Sequence, residues 1–477
     1  MPALMRDTPE QRLKAGSVGW LQILALVFAT TGPLIGLVGA VPVALTQGNG
    51  IGMAGCFLLA GLVYLVFGAG FAALTRQVVD AGAFYACVAR GLSRPAGLIA
   101  AGLATTAYMA LQLCCYGLIG FFMTQLSQGV WGEGLPWWFN ALLVNAVVPF
   151  CAQRNLTFAA RLLGVLVLAE FAVLAAFAAS VLWHGGGPEG LSAQPFAPAQ
   201  VFSAGFGAAM VFAVAAFAGF ETAAVYGEEA RAPQRTVPRV LLVAILAVTA
   251  TLAGSAWALI AAYGPGEVVD AAARDPGALW FSAVSRFLSP DLSTAMAVLL
   301  MTSLFASIVG LQNAVSRYLY ALGRDGAIWP MLAQMHPQHE TPYIANLAQA
   351  SVSILALAGL GLVENDPLRI ALGSASALAV IALLSAQILV SAAVIGFFRG
   401  RGGGVWSTRI APAASALALA ALLCTVLLNL RSLTGGSAAA AWTIAIALLA
   451  LAGACALRAW AMKRRDPAAY ARLGGAR

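Results

Sequence analysis

Apolar runs of about 20 residues recur along almost the whole chain, separated by short polar or Gly/Pro-rich stretches. Each such run is long enough to cross a bilayer as a helix. The pattern predicts twelve spans, at roughly 17–45, 51–74, 95–127, 136–152, 158–183, 200–226, 238–262, 291–320, 344–363, 367–398, 409–430 and 437–461. The external segments Gly185–Pro198 and Tyr263–Pro290 are rich in Gly and Pro with mixed charge and read as loops. Between the second and third spans, Phe84 and Tyr85 stand in an apolar stretch flanked by Arg76, Arg90 and Arg94. That pattern predicts a short amphipathic helix at the membrane interface.

Composition strengthens this reading. Of 477 residues, 61% are hydrophobic and 9% charged, against about 25% charged in soluble domains. An ordinary soluble enzyme is excluded. The net charge of +8 would point to nucleic acid in a soluble chain; here the basic residues sit in loops and set orientation instead. With the N-terminus in the cytoplasm, about 22 of the 26 Lys/Arg fall inside, and Arg274, Arg286, Arg369 and Arg431 fall outside. Both termini are therefore expected in the cytoplasm, with the chain multi-pass in the cytoplasmic (inner) membrane. Met1–Lys14 is polar and leads into a full-length span, so no signal peptide is expected. The basic tail 462–477, with Lys463, Arg464 and Arg465, suits an anionic leaflet. The seven cysteines show neither metal nor disulfide spacing. His336 and His339 lie in a loop without further ligands, so no metal and no cofactor is expected.

Two spans carry unusual chemistry. The first contains Thr30–Pro42, T-T-G-P-L-I-G-L-V-G-A-V-P, where Pro33 removes a backbone donor and Gly32, Gly36 and Gly39 permit unwinding. The sixth has Gly205, Gly207 and Gly219, followed by a carboxylate, Glu221, inside the apolar run. Interrupted helices at matching places in two halves are the sequence pointer to a transporter's binding site. A carboxylate at that depth marks a solute, ion or proton path unless it is structurally paired. In the third span Tyr108, Gln112 and Tyr116 share one helical face, a stripe that lines a cavity or glues helices. Glu170 in the fifth span has no basic residue within a turn, and the eighth offers Thr302, Ser303, Ser307, Gln312 and Asn313.

The run F-A-G-F-E ending in Y-G-E-E-A-R and its Pro/Arg-rich exit, 217–239, resembles the sixth span of the amino acid–polyamine–organocation (APC) superfamily. G-A-F-Y-A-C-V-A-R-G-L-S-R before the third span and A-L-G-R-D-G after the eighth are similar to sequences widespread there. The resemblance covers nearly the whole chain. It implies an all-α polytopic fold of twelve transmembrane helices, a 5+5 inverted repeat with broken first and sixth helices, plus two C-terminal helices. The expected divisions are a cytoplasmic segment 1–16, a transport core 17–398, two accessory helices 399–461, and the tail 462–477. Glu170 stands where several cationic amino acid transporters of the superfamily carry a lysine thought to replace a sodium ion. Ser307 matches the neighbourhood of a sodium-binding hydroxyl in sodium-driven relatives. The chain departs from the superfamily at Ile35-Gly36-Leu37, where relatives commonly show a glycine-serine-glycine motif, and near Ala215, where some use a gating tryptophan.

The expected activity is secondary active transport of an amino acid, by proton-coupled symport with alternating access; the alternative is an amine permease of ethanolamine or putrescine type, or an exchanger. Substrate contacts are expected at Thr31, Gly32, Pro33, Leu34, Ile35, Gly36, Tyr108, Gln112, Phe217, Ala218, Gly219 and Phe220. Coupling to a proton, or to sodium in its place, is expected at Glu221, Glu170 and Ser307. A membrane-embedded enzyme needs a metal cluster, a nucleophile with its base or a nucleotide loop, and no such motif stands in the sequence. The partners are thus a small amino acid or amine, the coupling ion and the lipid bilayer, without nucleic acid.

Overall fold

A computed structural model describes residues 13–153, 156–434 and 436–475. The rest of the expected N-terminal segment and of the tail lies outside them. The described chain is helical throughout, and eleven of its helical runs are long and apolar enough to cross a membrane. The fourth predicted span is shorter: α6 below has 16 residues and carries Pro149 in its last turn. A proline there cannot donate to the carbonyl four residues back, which loosens the helix end.

The first span is broken. Helix α1 (Trp20–Thr31) stops because Gly32 takes φ 53° and its N–H closes onto the Phe28 carbonyl at 2.8 Å. Pro33 follows and restarts the helix from its first position. The chain then runs through a widened turn, Gly36–Ala40, into α2 (Val41–Gln47). Pro42 explains the widening, since it offers no N–H to the carbonyl four residues back. Next come α3 (Met53–Thr75), α4 (Phe84–Gly91), α5 (Arg94–Trp131), α6 (Trp137–Ala152) and α7 (Leu156–Trp183).

The sixth span is broken more severely. Helix α8 (Phe206–Phe217) ends at Ala218, which is extended at φ −57° and ψ 131°, and Gly219 then turns at φ 117°. Beyond it run two 3₁₀ turns, Phe220–Ala224 and Gly227–Glu229, with no second α-helical half. Helices α9 (Pro233–Tyr263), α10 (Pro290–Arg324), α11 (Tyr343–Val363), α12 (Ser376–Phe397), α13 (Ala411–Leu428), α14 (Ala438–Arg465) and α15 (Pro467–Arg472) complete the order. A widened turn at Arg369–Ala375 leads into α12, an irregularity that the hydrophobic pattern did not predict. The segment 263–290, expected as a loop, holds two short helices, Val268–Arg274 and Leu279–Phe287, each with a buried apolar face.

Helix α1 packs on α7 and α10, α3 lies along α9 and α13, and α8 rests on α3 and α12. The two interruptions therefore meet in the middle of the bundle. Helix α4 is helical as predicted, yet Phe84, Tyr85, Ala86, Cys87 and Val88 are all buried. It is wedged against α5 and α12 instead of lying on a lipid surface.

Candidate solute and ion site

The two breaks touch. A Cβ on Gly219 would stand 3.1 Å from the Thr31 nitrogen and 3.2 Å from the Thr30 carbonyl carbon. At φ 117° an L side chain is strained as well, so glycine is required here twice over. Across the same junction a Cβ on Gly36 would meet the Ala216 methyl at 2.8 Å. The carbonyls of Ala216, Phe217 and Ala218 fall outside the helical ladder, because the chain turns extended where their donors would stand. Thr30 and Thr31 bond their hydroxyls to the carbonyls of Leu26 and Val27, at 2.8 and 2.9 Å. Ser307 on α10 donates to the Thr30 carbonyl at 2.6 Å, which holds α10 to the end of α1.

A cavity of ≈ 70 Å³ opens at this junction. The first span contributes Thr30, Thr31, Ile35, Gly36 and Ala40, and α8 with its end contributes Phe212, Ala215, Ala216 and Ala218. Helix α5 adds Leu111, Cys114, Cys115 and Leu118; Ser307, Leu311, Ala371, Leu372 and Ser376 close the wall. Its polar features are the hydroxyls, thiols and backbone ends of the breaks, and no ionisable carboxylate or cation lines it.

Of the residues singled out in the sequence, Thr31, Ile35, Gly36, Ala218 and Ser307 line this cavity. Gly32, Pro33, Leu34 and Gly219 shape the breaks behind it. Phe217 and Phe220 are fully buried and pack against Tyr64, one tilted and one edge-on, with ring centroids 5.3 and 5.0 Å away. Tyr108 donates to Glu221 Oε1 at 3.0 Å, and the Gly219 N–H donates to Glu221 Oε2 at 3.2 Å. Glu221 is wholly buried, two residues beyond Gly219, with an acceptor contact on each oxygen. Gln112 belongs to a buried amide network: it donates to Gln312 at 2.8 Å and accepts from Gln349 at 2.8 Å, while Gln312 donates to Asn346 at 2.6 Å. Tyr116 donates to Asn145 at 2.5 Å. These contacts tie α5, α6, α10 and α11 together. Glu170 is buried beside Ser303, and its Oε2 has no hydrogen-bond partner among the described residues.

The cavity face of α5 was missed because the sequence draws the eye to the polar stripe 108/112/116. Leu111, Cys115 and Leu118 repeat at helical spacing one position away, and that signal is the same for a lipid face, a core and an apolar binding wall.

On the face that carries both described chain ends, charge closes the bundle. Arg317 on α10 grips Glu229 with two hydrogen bonds, at 2.7 and 3.0 Å, and lies 5.1 Å over the Tyr226 ring. Arg324 bridges Asp80 and Glu228, each at 2.9 Å. Burial pushes the Asp80 carboxyl up to about 6, against the lowering pull of Arg324. The segment near the N-terminus adds a clasp, with Val18 accepting from the Arg231 N–H at 2.8 Å and donating to the Glu229 carbonyl at 3.1 Å.

The sequence profile of the family described as "Amino acid permease" matches residues 18–452. An uncharacterised transporter of Mycobacterium tuberculosis (strain ATCC 25618 / H37Rv) is 38% identical over 143 residues, 30% of this chain and 31% of its own. The branched-chain amino acid permease BcaP of Bacillus subtilis (strain 168) is 32% identical over 211 residues, 42% of this chain and 40% of its own. BcaP of Lactococcus lactis subsp. cremoris (strain MG1363) is 27% identical over 209 residues, 42% of each chain. The aligned region thus spans less than half of each relative.

Proposed function

The chain belongs to the amino acid permease family, and on that footing we propose that it carries a small or branched apolar amino acid across the cytoplasmic membrane, driven by protons. The observation that carries this reading is the cavity where the two broken spans meet. Its backbone ends supply what an amino acid's charges need. The restart of the first helix at Pro33–Gly36 presents a positive dipole end to a carboxylate, and the carbonyls of Ala216–Ala218 accept an ammonium group. Its walls, Ile35, Leu111, Leu118, Phe212, Leu311 and Leu372, are apolar and offer no countercharge to a charged side chain. Its volume of ≈ 70 Å³ holds roughly five water-sized spheres, the scale of a small amino acid and not of a peptide. The branched-chain substrate named for BcaP agrees with those walls.

Glu221 is the proton carrier in this reading. Its two contacts are unequal: the Gly219 N–H can only donate, while the Tyr108 hydroxyl can donate or accept. A proton therefore goes onto Oε1, and Tyr108 then turns from donor to acceptor. Protonation so changes the bond between α5 and the broken sixth span, the element that must rearrange for alternating access. Glu170, buried beside Ser303 one turn before Ser307 on α10, is the second carboxylate this reading assigns to coupling.

The test is uptake by the purified protein in liposomes, in sodium-free buffer, with a panel of labelled amino acids and amines. Accumulation of an apolar amino acid under an inward proton gradient is the expected result. Uptake of an amine alone, or uptake only into vesicles preloaded with solute, overturns the symport of an amino acid.

A further inference from the structure

We infer that the C-terminal segment, Pro467–Gly475, is an internal strap that holds the terminal-face gate closed and thereby sets the transport rate. The inference rests on the transport reading only for its last step; the strap itself is a matter of geometry.

The strap follows α14 and folds back under the bundle. Asp466 caps α15, accepting from the Ala469 N–H at 2.8 Å. Leu473 is then buried. The last described residues straddle two separate elements of the gate. On the α10 side, the Gly474 and Gly475 N–H groups donate to Asp325 Oδ2 at 3.0 and 3.2 Å. On the α4 side, Arg90 donates to the Gly474 and Gly475 carbonyls at 2.8 and 2.6 Å. Tyr85 of α4 completes the knot, donating to the same Asp325 oxygen at 2.8 Å. Further back, Arg94 donates to the Ala471 carbonyl at 3.1 Å and lies 5.2 Å over the Tyr470 ring.

The fit is specific to these residues. Gly474 and Gly475 take φ 82° and 66°, where side chains are strained. A Cβ on Gly474 would stand 2.5 Å from the Ala89 methyl, and one on Gly475 would collide with the Asp80 carboxylate. Two glycines therefore lie flat against α4 and the Asp80–Arg324 pair, in the space between two gate elements. Arg458 of α14 adds a brace, donating to the Ala327 carbonyl at 2.8 Å just past α10.

Opening this face means moving α4 away from the end of α10. The bonds of Gly474 and Gly475 are then lost on one side, because the same two residues bind both elements. The strap therefore stabilises the closed state alone, and its removal shifts the population toward the open one.

Two variants test this, Gly474→Ala in the full-length chain and a chain that stops after Arg472, each compared with the wild type. Amide hydrogen exchange of the purified protein is read over residues 80–92. Both variants are expected to exchange faster there by roughly three- to tenfold, the factor set by losing a few hydrogen bonds from one state. Unchanged protection in both overturns the strap. In liposomes, uptake is expected to rise by a similar factor with KM nearly unchanged, and a rate that stays level while 80–92 loosens overturns its control of transport. The exchange arm decides the strap even if no amino acid is taken up, so failure of the strap and failure of the substrate reading remain distinct.

Discussion

At Glu221 one side chain joins two pieces of the protein: the break of its own span, through the Gly219 N–H, and Tyr108 of α5. Glu221→Gln can keep both contacts, since its carbonyl accepts from Gly219 and its amide donates to Tyr108. The variant is expected to fold and insert normally while uptake loses its dependence on external pH. Retained pH dependence in a well-expressed variant removes Glu221 from the coupling role. Asp80 makes a separate, testable case outside the spans. Burial raises its carboxyl from 3.8 to about 6, so the folded state holds its proton more tightly than the unfolded state. Its contribution to stability is then fully present below about pH 4 and is lost as pH rises through about 6. Melting of the Asp80→Asn variant should fall less than that of the wild type across this window. A parallel fall in both would show that ionising Asp80 costs the fold nothing.

Between elements, the Arg317–Glu229 pair ties α10 to the exit of the sixth span, where 3₁₀ turns replace a helix. Arg317 is fully buried, so removing its partner strands a charge away from water. Glu229→Ala is expected to cost about 3–5 kcal/mol in stability, read as a lower melting temperature in detergent. The double change Arg317→Met with Glu229→Leu should recover part of that loss, because no charge then remains buried. If the double variant is no more stable than the single one, the pair contributes through its own attraction and not merely through the stranded charge. The amide network of Gln112, Gln312, Asn346 and Gln349 is a second buried tie between elements. It fixes α5, α10 and α11 to one another and leaves the cavity wall to apolar side chains.

Over the whole molecule, both described ends share one face, where Val18 meets Glu229 and Arg231 and the Gly474–Gly475 pair meets Asp325 and Arg90. Together with the count of Lys/Arg by loop, that shared face sets up a direct check of orientation. Reporter fusions to either terminus are expected to report the cytoplasm; a reporter active outside the membrane at either end reverses the expected orientation. The strap, the N-terminal clasp and the charge pairs all lie on this face, which is closed by bonds between elements far apart in sequence. The ion pairs of the loops expected on the opposite side, Arg274 with Glu267 and Arg369 with Glu364, have exposed arginines instead of buried ones.

The sequence by itself determined the fold class, the apolar spans and the places where two of them break. Those features are local: hydrophobic length, Pro33 without its donor, Gly32 and Gly219 free to turn left-handed. The short α6, the two small helices within 263–290 and the widened turn before α12 lie at the limit of such signals. Only the tertiary structure decided what the polar residues face. Tyr108, Gln112 and Tyr116 share a helical face, yet one meets a carboxylate and two join amide contacts, because the partners come from 29 to 237 residues away in the chain. The solute walls were unreadable for the opposite reason. Leu111, Leu118 and Leu372 carry the same apolar signal whether they meet lipid, another helix or a substrate, and packing alone assigns them to the cavity.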